Sequence, residues 1–216
     1  MPTVRIVIAL VLALAAVGLA FGLWPQLDLA ATRFVYAHGG FWGASRYTGW
    51  ARDALRFAPI LLLMGLAALW AARRFGWSGP APSTPAIIFL VASLTLGSGL
   101  IVNLGLKDHS HRPRPVHVVE FGGDSAFRPW WRFDGACVKN CAFASGEAAS
   151  GFWMLAPALI APPPLRLPAV AAALAFGAAT SLLRVAFGGH FLSDVLFGGL
   201  ISALVVLTLW RWLLRR

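Results

Sequence analysis

The chain has 216 residues, 59% hydrophobic and 12% charged, with 18 Lys and Arg against 8 Asp and Glu for a net charge of +10. That is too apolar for an ordinary soluble domain and fits one polytopic membrane domain over 1–216. The basic excess is a poor match to nucleic acid, because no basic stretch interleaves with a soluble fold; it reads instead as positive-inside residues plus an anion site.

Runs of about 20 apolar residues predict six spans, at about 4–24, 57–72, 84–106, 148–163, 167–187 and 191–212. The expected fold class is therefore all-α, a six-transmembrane-helix bundle. The first run resembles a secretory leader, yet its length and lack of a clear small-x-small cleavage site favour a retained helix. The fourth is the weakest, holding Pro157 and ending in three prolines. Breaker-rich stretches at 79–85 and 161–168 read as turns.

Six spans put both termini on one side, where Arg5, Arg73, Arg74, Arg166, Arg211, Arg215 and Arg216 gather with no acidic residue among them. That face is expected to be cytoplasmic. The other 11 of the 18 basic residues, including Arg46, Arg52, Arg56, Lys107 and Arg114, fall on the opposite face. A binding site there would explain the ones that break the charge rule.

Strict alternation brings Lys107, Glu147, Arg184, His190 and Asp194 to that same opposite face, whichever way the chain is oriented. An ionisable residue at the membrane edge is a functional candidate because burial in hydrocarbon is costly unless it is paired or meets a cavity. His190 and Asp194 are four apart, one turn above each other on a helix. The carboxylate could hold one imidazole nitrogen while the other faces a substrate. Gly188 and Gly189 would leave room for a ligand. The plainer alternative is an aspartate that caps a helix beside an interfacial histidine.

The stretch "KDHSHRPRP", 107–115, carries Lys107, Arg112 and Arg114, while Pro113 and Pro115 forbid a continued helix. Cationic forks on an extended backbone suit phosphate oxygens; a solvated basic loop beside headgroups is the alternative. In "FASGEAASG", 143–151, Ser145 is a good N-cap, Gly146 would let backbone approach an anion, and the first amides of the helix present a positive dipole end.

Together the three stretches resemble the type 2 phosphatidic acid phosphatase superfamily of membrane lipid phosphatases. Its pattern is K-x6-R-P, then P-S-G-H, then S-R-x5-H-x3-D. The first matches at Lys107, Arg114 and Pro115, and the third at Arg184, His190 and Asp194, with Leu183 in place of serine. The resemblance covers about residues 57–212. In the second motif Ala144 replaces proline and Glu147 replaces the histidine that serves the family as general acid.

The resemblance implies a phosphomonoester hydrolase that needs no cofactor or metal. His190 would attack phosphorus, Asp194 would orient it, and Lys107, Arg114, Arg184 and the amides near Ser145 and Gly146 would hold the phosphoryl oxygens. Glu147 is the first candidate for the acid, with His109 and His111 in reserve. The H-x-H spacing of those two histidines could also suggest a metal, though a site needs more ligands. The insertion 116–143 is aromatic and glycine-rich and suits a cap over a bulky headgroup, with Trp130 and Trp131 as part of it or as interfacial anchors.

The run C-x3-C-x-F-x-S-G-E from Cys137 looks like the lipid A phosphatase branch. Phosphatidylglycerophosphate and undecaprenyl pyrophosphate phosphatases are rivals, as is a lipid phosphotransferase using the same phosphohistidine. A transporter or scaffold would carry its charges near the midplane instead. The expected partners are a lipid substrate and the membrane, with no nucleic acid and no obligatory protein partner. The expected location is a bacterial inner membrane with the site facing the periplasm, where Cys137 and Cys141 could form a disulfide or remain thiols.

Overall fold

Prolines and capping residues divide the apolar sequence into helices. The computed structural model describes residues 2–215, so Arg216 lies outside the described residues. The helices are α1 (Pro2–Leu23), α2 (Gln26–Val35), α3 (Arg46–Ala72), α4 (Thr84–Lys107), α5 (Gly146–Trp153), α6 (Leu155–Leu159), α7 (Pro163–Ala186) and α8 (Leu192–Leu214). Pro25 separates α1 from α2, Ser83 caps α4 by accepting from the Ala86 amide at 3.4 Å, and Pro162 and Pro163 open α7. The only strands among the described residues form a two-rung hairpin, Tyr36–Ala37 with Gly40–Phe41.

Five of these helices, α1, α3, α4, α7 and α8, are long and apolar enough to cross a membrane, so the chain is an all-α multi-pass membrane protein. The fourth predicted span is realised as α5 and α6, of 8 and 5 residues, broken at Met154. Pro157 supplies no N–H and its ring crowds the carbonyl four residues back, which interrupts the helix there. This pair is short because it is interior. Most of α5 and α6 is buried against α7 and α8.

Hydropathy places α3 about three turns too late, because Arg46, Arg52, Asp53 and Arg56 interrupt the apolar signal. The true start is a capping box in which Ser45 Oγ accepts from the Thr48 amide at 3.3 Å and Thr48 Oγ1 accepts from the Ser45 amide at 3.1 Å. The outer half of α4, from Thr95 to Lys107, winds more widely than an α-helix, in the π-helical manner found at functional sites.

Within lipid, helices associate by close packing, so small residues sit at the contacts. The Phe152 ring lies against both Gly177 of α7 and Gly199 of α8, where a Cβ would come within 2.7 and 2.6 Å of it. Trp153 donates its indole N–H to Ser93 Oγ at 2.9 Å and ties α5 to α4. Half of the apolar window of α8 is buried, against 6% in α1 and in α3, which makes α8 the hub. The alternation of spans then brings the ends of α1, α4 and α7 together with the beginnings of α3, α5 and α8.

Candidate active site

The α7–α8 turn delivers His190. Its two glycines serve protein rather than ligand: Gly188 has φ +63 and the Phe41 ring lies where its Cβ would be, while Arg184 Nη2 lies 2.2 Å from the Cβ position of Gly189. His190 is 1% exposed, and its Nδ1 stands 2.7 Å from the Ala142 carbonyl. A carbonyl only accepts, so Nδ1 carries the hydrogen and Nε2 keeps a lone pair. Burial pushes the His190 pKa down to about 4; Arg184 pushes the same way and Asp194 opposes.

Asp194 does not take the expected place as the direct hydrogen-bond partner of His190. Its Oδ2 is 3.7 Å from His190 Nδ1, and accepts the Phe191 amide at 2.8 Å, capping α8. Its Oδ1 takes Arg112. The other end of that guanidinium donates to Asp28 Oδ2 at 2.7 Å, and Asp28 Oδ1 accepts the Ser193 amide at 2.8 Å. Arg112 also reaches Ser193 Oγ at 2.9 Å and the Arg128 carbonyl at 2.8 Å. Arg112 is thus wholly buried between two carboxylates, and is a clamp rather than one of the phosphate forks the sequence suggested.

The other cations do converge. Arg114 donates through Nε and Nη2 to the Asn140 carbonyl at 3.2 and 2.8 Å. Arg184 is buried beside Gly189, and Lys107 at the end of α4 lies within electrostatic reach of Arg114, Arg184, Glu147 and Asp194. Arg114, Arg184, Gly189, Lys139, Asn140 and His117 contribute to a cleft of about 400 Å³.

Ser145 caps α5, accepting the Ala148 amide at 3.3 Å, as its type suggested. Its own amide is already bound to the Asp194 carbonyl at 3.0 Å and so offers nothing to an anion. Gly146 is buried with Asn103 Oδ1 2.3 Å from its Cβ position, so its smallness admits Asn103.

Glu147 forms a two-point pair with Arg52, Oε1 to Nη2 at 2.7 Å and Oε2 to Nε at 3.3 Å, and its Oε1 is 3.6 Å from Arg184 Nε. Sequence reasoning placed Arg52 on the correct face without giving it a role. The signal was its position two turns into a capped helix that begins at that face. Asp28 was missed, because its helix lies outside the motif-bearing core.

Cys137 and Cys141 are joined in a disulfide. His111 Nδ1 donates to the Cys137 carbonyl at 2.9 Å, and His109 Nδ1 lies 3.0 Å from the Leu104 carbonyl. Trp130 packs on Phe197 and Phe143, with ring centroids 4.8 and 5.7 Å apart, so it joins the loop to α8. Trp131 is more exposed.

The family model of the PAP2 superfamily matches residues 86–216. The chain is 36% identical over 184 residues to a lipid A 4'-phosphatase of Francisella tularensis subsp. novicida, covering 83% of each chain. It is 43% and 44% identical, over 116 residues, to lipid A 4'-phosphatases of Rhizobium leguminosarum and Rhizobium etli. Those stretches cover 54% of this chain and 49% and 45% of the two relatives, about half their length. No solved structure matches the chain. With the family's motifs gathered at one membrane face, the chain belongs to the PAP2 superfamily and is a membrane lipid phosphatase of that type.

Proposed function

We propose that the protein removes a phosphate monoester from the headgroup of lipid A, through a phosphohistidine on His190, at the periplasmic face of a bacterial inner membrane. The observation that carries this reading is a buried His190 whose Nδ1 is pinned to the Ala142 carbonyl, leaving Nε2 as nucleophile, with Arg184 and Lys107 within electrostatic reach. Arg184 Nε has no hydrogen-bond acceptor among the described residues, and a phosphoryl oxygen would satisfy it. Similarity to three lipid A 4'-phosphatases supports the choice of substrate.

In the first step Nε2 forms a bond to phosphorus while the bond from phosphorus to the ester oxygen breaks, and the departing sugar oxygen takes a proton from Glu147. Lys107, Arg114 and Arg184 neutralise the phosphoryl charge. Asp194 stabilises the positive ring through space, and the Ala142 carbonyl keeps it aligned. In the second step water attacks phosphorus, the N–P bond breaks, and Glu147 takes the water's proton and passes it to the departing phosphate, which leaves as the monoanion and returns Glu147 to its ionised form.

Two guanidiniums hold Glu147 ionised before substrate arrives. Its proton therefore comes with the substrate: a phosphate monoester has a second pKa of about 6, and its monoanion passes that proton to the carboxylate on entering. The resulting dianion competes with Glu147 for Arg184 and repels its charge, both of which favour the protonated carboxyl in the complex.

Purified protein should be assayed for phosphate release from lipid A, phosphatidylglycerophosphate, phosphatidic acid and undecaprenyl pyrophosphate, in detergent with chelator and no acceptor lipid. The largest kcat/KM is expected for lipid A, with an acid-labile phosphohistidine trapped on rapid quenching. A preference for any other lipid would overturn the substrate, and activity only in the presence of an acceptor lipid would make the enzyme a phosphotransferase.

A further inference from the structure

The disulfide between Cys137 and Cys141 encloses only three residues, and closing so small a loop restrains the unfolded chain least. What it encloses and adjoins is the more informative feature. Val138, Lys139 and Asn140 are exposed, and Asn140 has φ +55, a left-handed conformation that asparagine tolerates. Such a tip, without a staple, would sample many conformations. Yet its Asn140 carbonyl receives both Nε and Nη2 of Arg114.

The next carbonyl but one, at Ala142, receives Nδ1 of His190. The segment is fixed at both ends: the Cys137 amide donates to the His111 carbonyl at 3.2 Å, and the Ala142 amide donates to the Arg112 carbonyl at 2.9 Å. Cys141 and Ala142 are fully buried while Asn140 is exposed, so the bridge spans the boundary between a rigid anchor and a tip.

From this geometry we infer that the disulfide-closed segment 137–142 is a positioning element for catalysis, holding the nucleophile through the Ala142 carbonyl and a phosphate-binding arginine through the Asn140 carbonyl. One backbone piece thereby fixes the distance between Nε2 of His190 and the Arg114 fork. The bridge acts on the tip, so its loss should release Arg114 first and leave the His190 contact largely in place. The inference rests on the phosphatase reading above.

The test compares four proteins, the parent, Cys137→Ser with Cys141→Ser, Arg114→Ala, and all three changes together, each with and without a phosphine reductant. Breaking the bridge by either route should raise KM and lower kcat/KM by about 10- to 100-fold, as misplacement of a positioning group does. It should also weaken competitive inhibition by inorganic phosphate. In the Arg114→Ala background the same break should have little further effect, because the residue it positions is gone. A purely structural staple would lower activity by the same factor in both backgrounds, and that result would overturn the inference. So would an oxidised parent that is active and indifferent to reductant. A parent that releases no phosphate from any lipid would instead refute the phosphatase reading and take this inference with it.

Discussion

Arg112 grips the carboxylate of Asp194, while His190, one turn from that aspartate, stands 3.7 Å away and bonds a main-chain carbonyl instead. The two arginines of "RPRP" therefore do different work although two residues apart. Pro113 between them forbids a helix, and their partners set the two directions: Asp28 and Asp194 take Arg112, and the Asn140 carbonyl takes Arg114. Arg112 goes into the interior and Arg114 into the cleft.

The first prediction separates those roles. Arg112→Met leaves Asp28 and Asp194 buried without their cation, and removing one partner of a buried pair costs about 3–5 kcal/mol. The variant should lose folded protein in detergent, read as a large drop in unfolding temperature. Arg114→Ala should keep its unfolding temperature and raise KM. A well-folded Arg112→Met protein with only a raised KM would return Arg112 to the phosphate site.

How much of this was legible follows the same division. Spacing and topology were enough to bring Lys107, Arg114, Glu147, Arg184, His190 and Asp194 to one face, since period and span length decide which end of a helix a residue occupies. They could not show which charges partner which. Asp28 reaches Arg112 across 84 positions and Arg52 reaches Glu147 across 95, contacts that no local pattern encodes. Gly188, Gly189 and Gly146 likewise signal close approach without naming what approaches, which in the fold is Phe41, Arg184 and Asn103.

The second prediction concerns pH. His190 has its pKa lowered from the usual 6.5 to about 4, so the protonated, non-nucleophilic ring appears only as pH falls through about 4. On the acid side kcat/KM should hold until that point. On the alkaline side it should fall above about pH 6, where the phosphate monoester loses the proton it brings. His190→Ala should release no phosphate at any pH. A parent profile whose acid limb lies near 6.5 would mean that His190 is solvated in the working enzyme.

The third prediction is the orientation. Both native cysteines are in the disulfide, so an added cysteine is a single reactive thiol. Asp124→Cys lies exposed on the site face and Ser78→Cys exposed on the other. A membrane-impermeant maleimide added to intact spheroplasts should label the former and spare the latter. The opposite pattern would put the site in the cytoplasm and favour a substrate of the inner leaflet.

The last prediction isolates the proton. Glu147→Gln keeps the size of the side chain and can still meet Arg52 through its amide oxygen, but has no proton to give. General acid catalysis is worth about 10²- to 10⁴-fold, so turnover of a sugar phosphate should fall by that much. An aryl phosphate, whose oxygen departs without help, should lose far less. Glu147→His restores the family's residue and should retain part of the activity. Its alkaline limb should then follow the imidazole rather than the substrate, because the acid no longer depends on a proton delivered with the phosphate. Arg52→Gln supplies the complementary measurement. With one guanidinium removed, Glu147 is less strongly held ionised, and the alkaline limb of the parent should move to higher pH while the leaving-group dependence stays. If Glu147→Gln instead loses equally on aryl and sugar phosphates, the carboxylate only positions Arg52 and Arg184, and the donor would have to be His109 or His111.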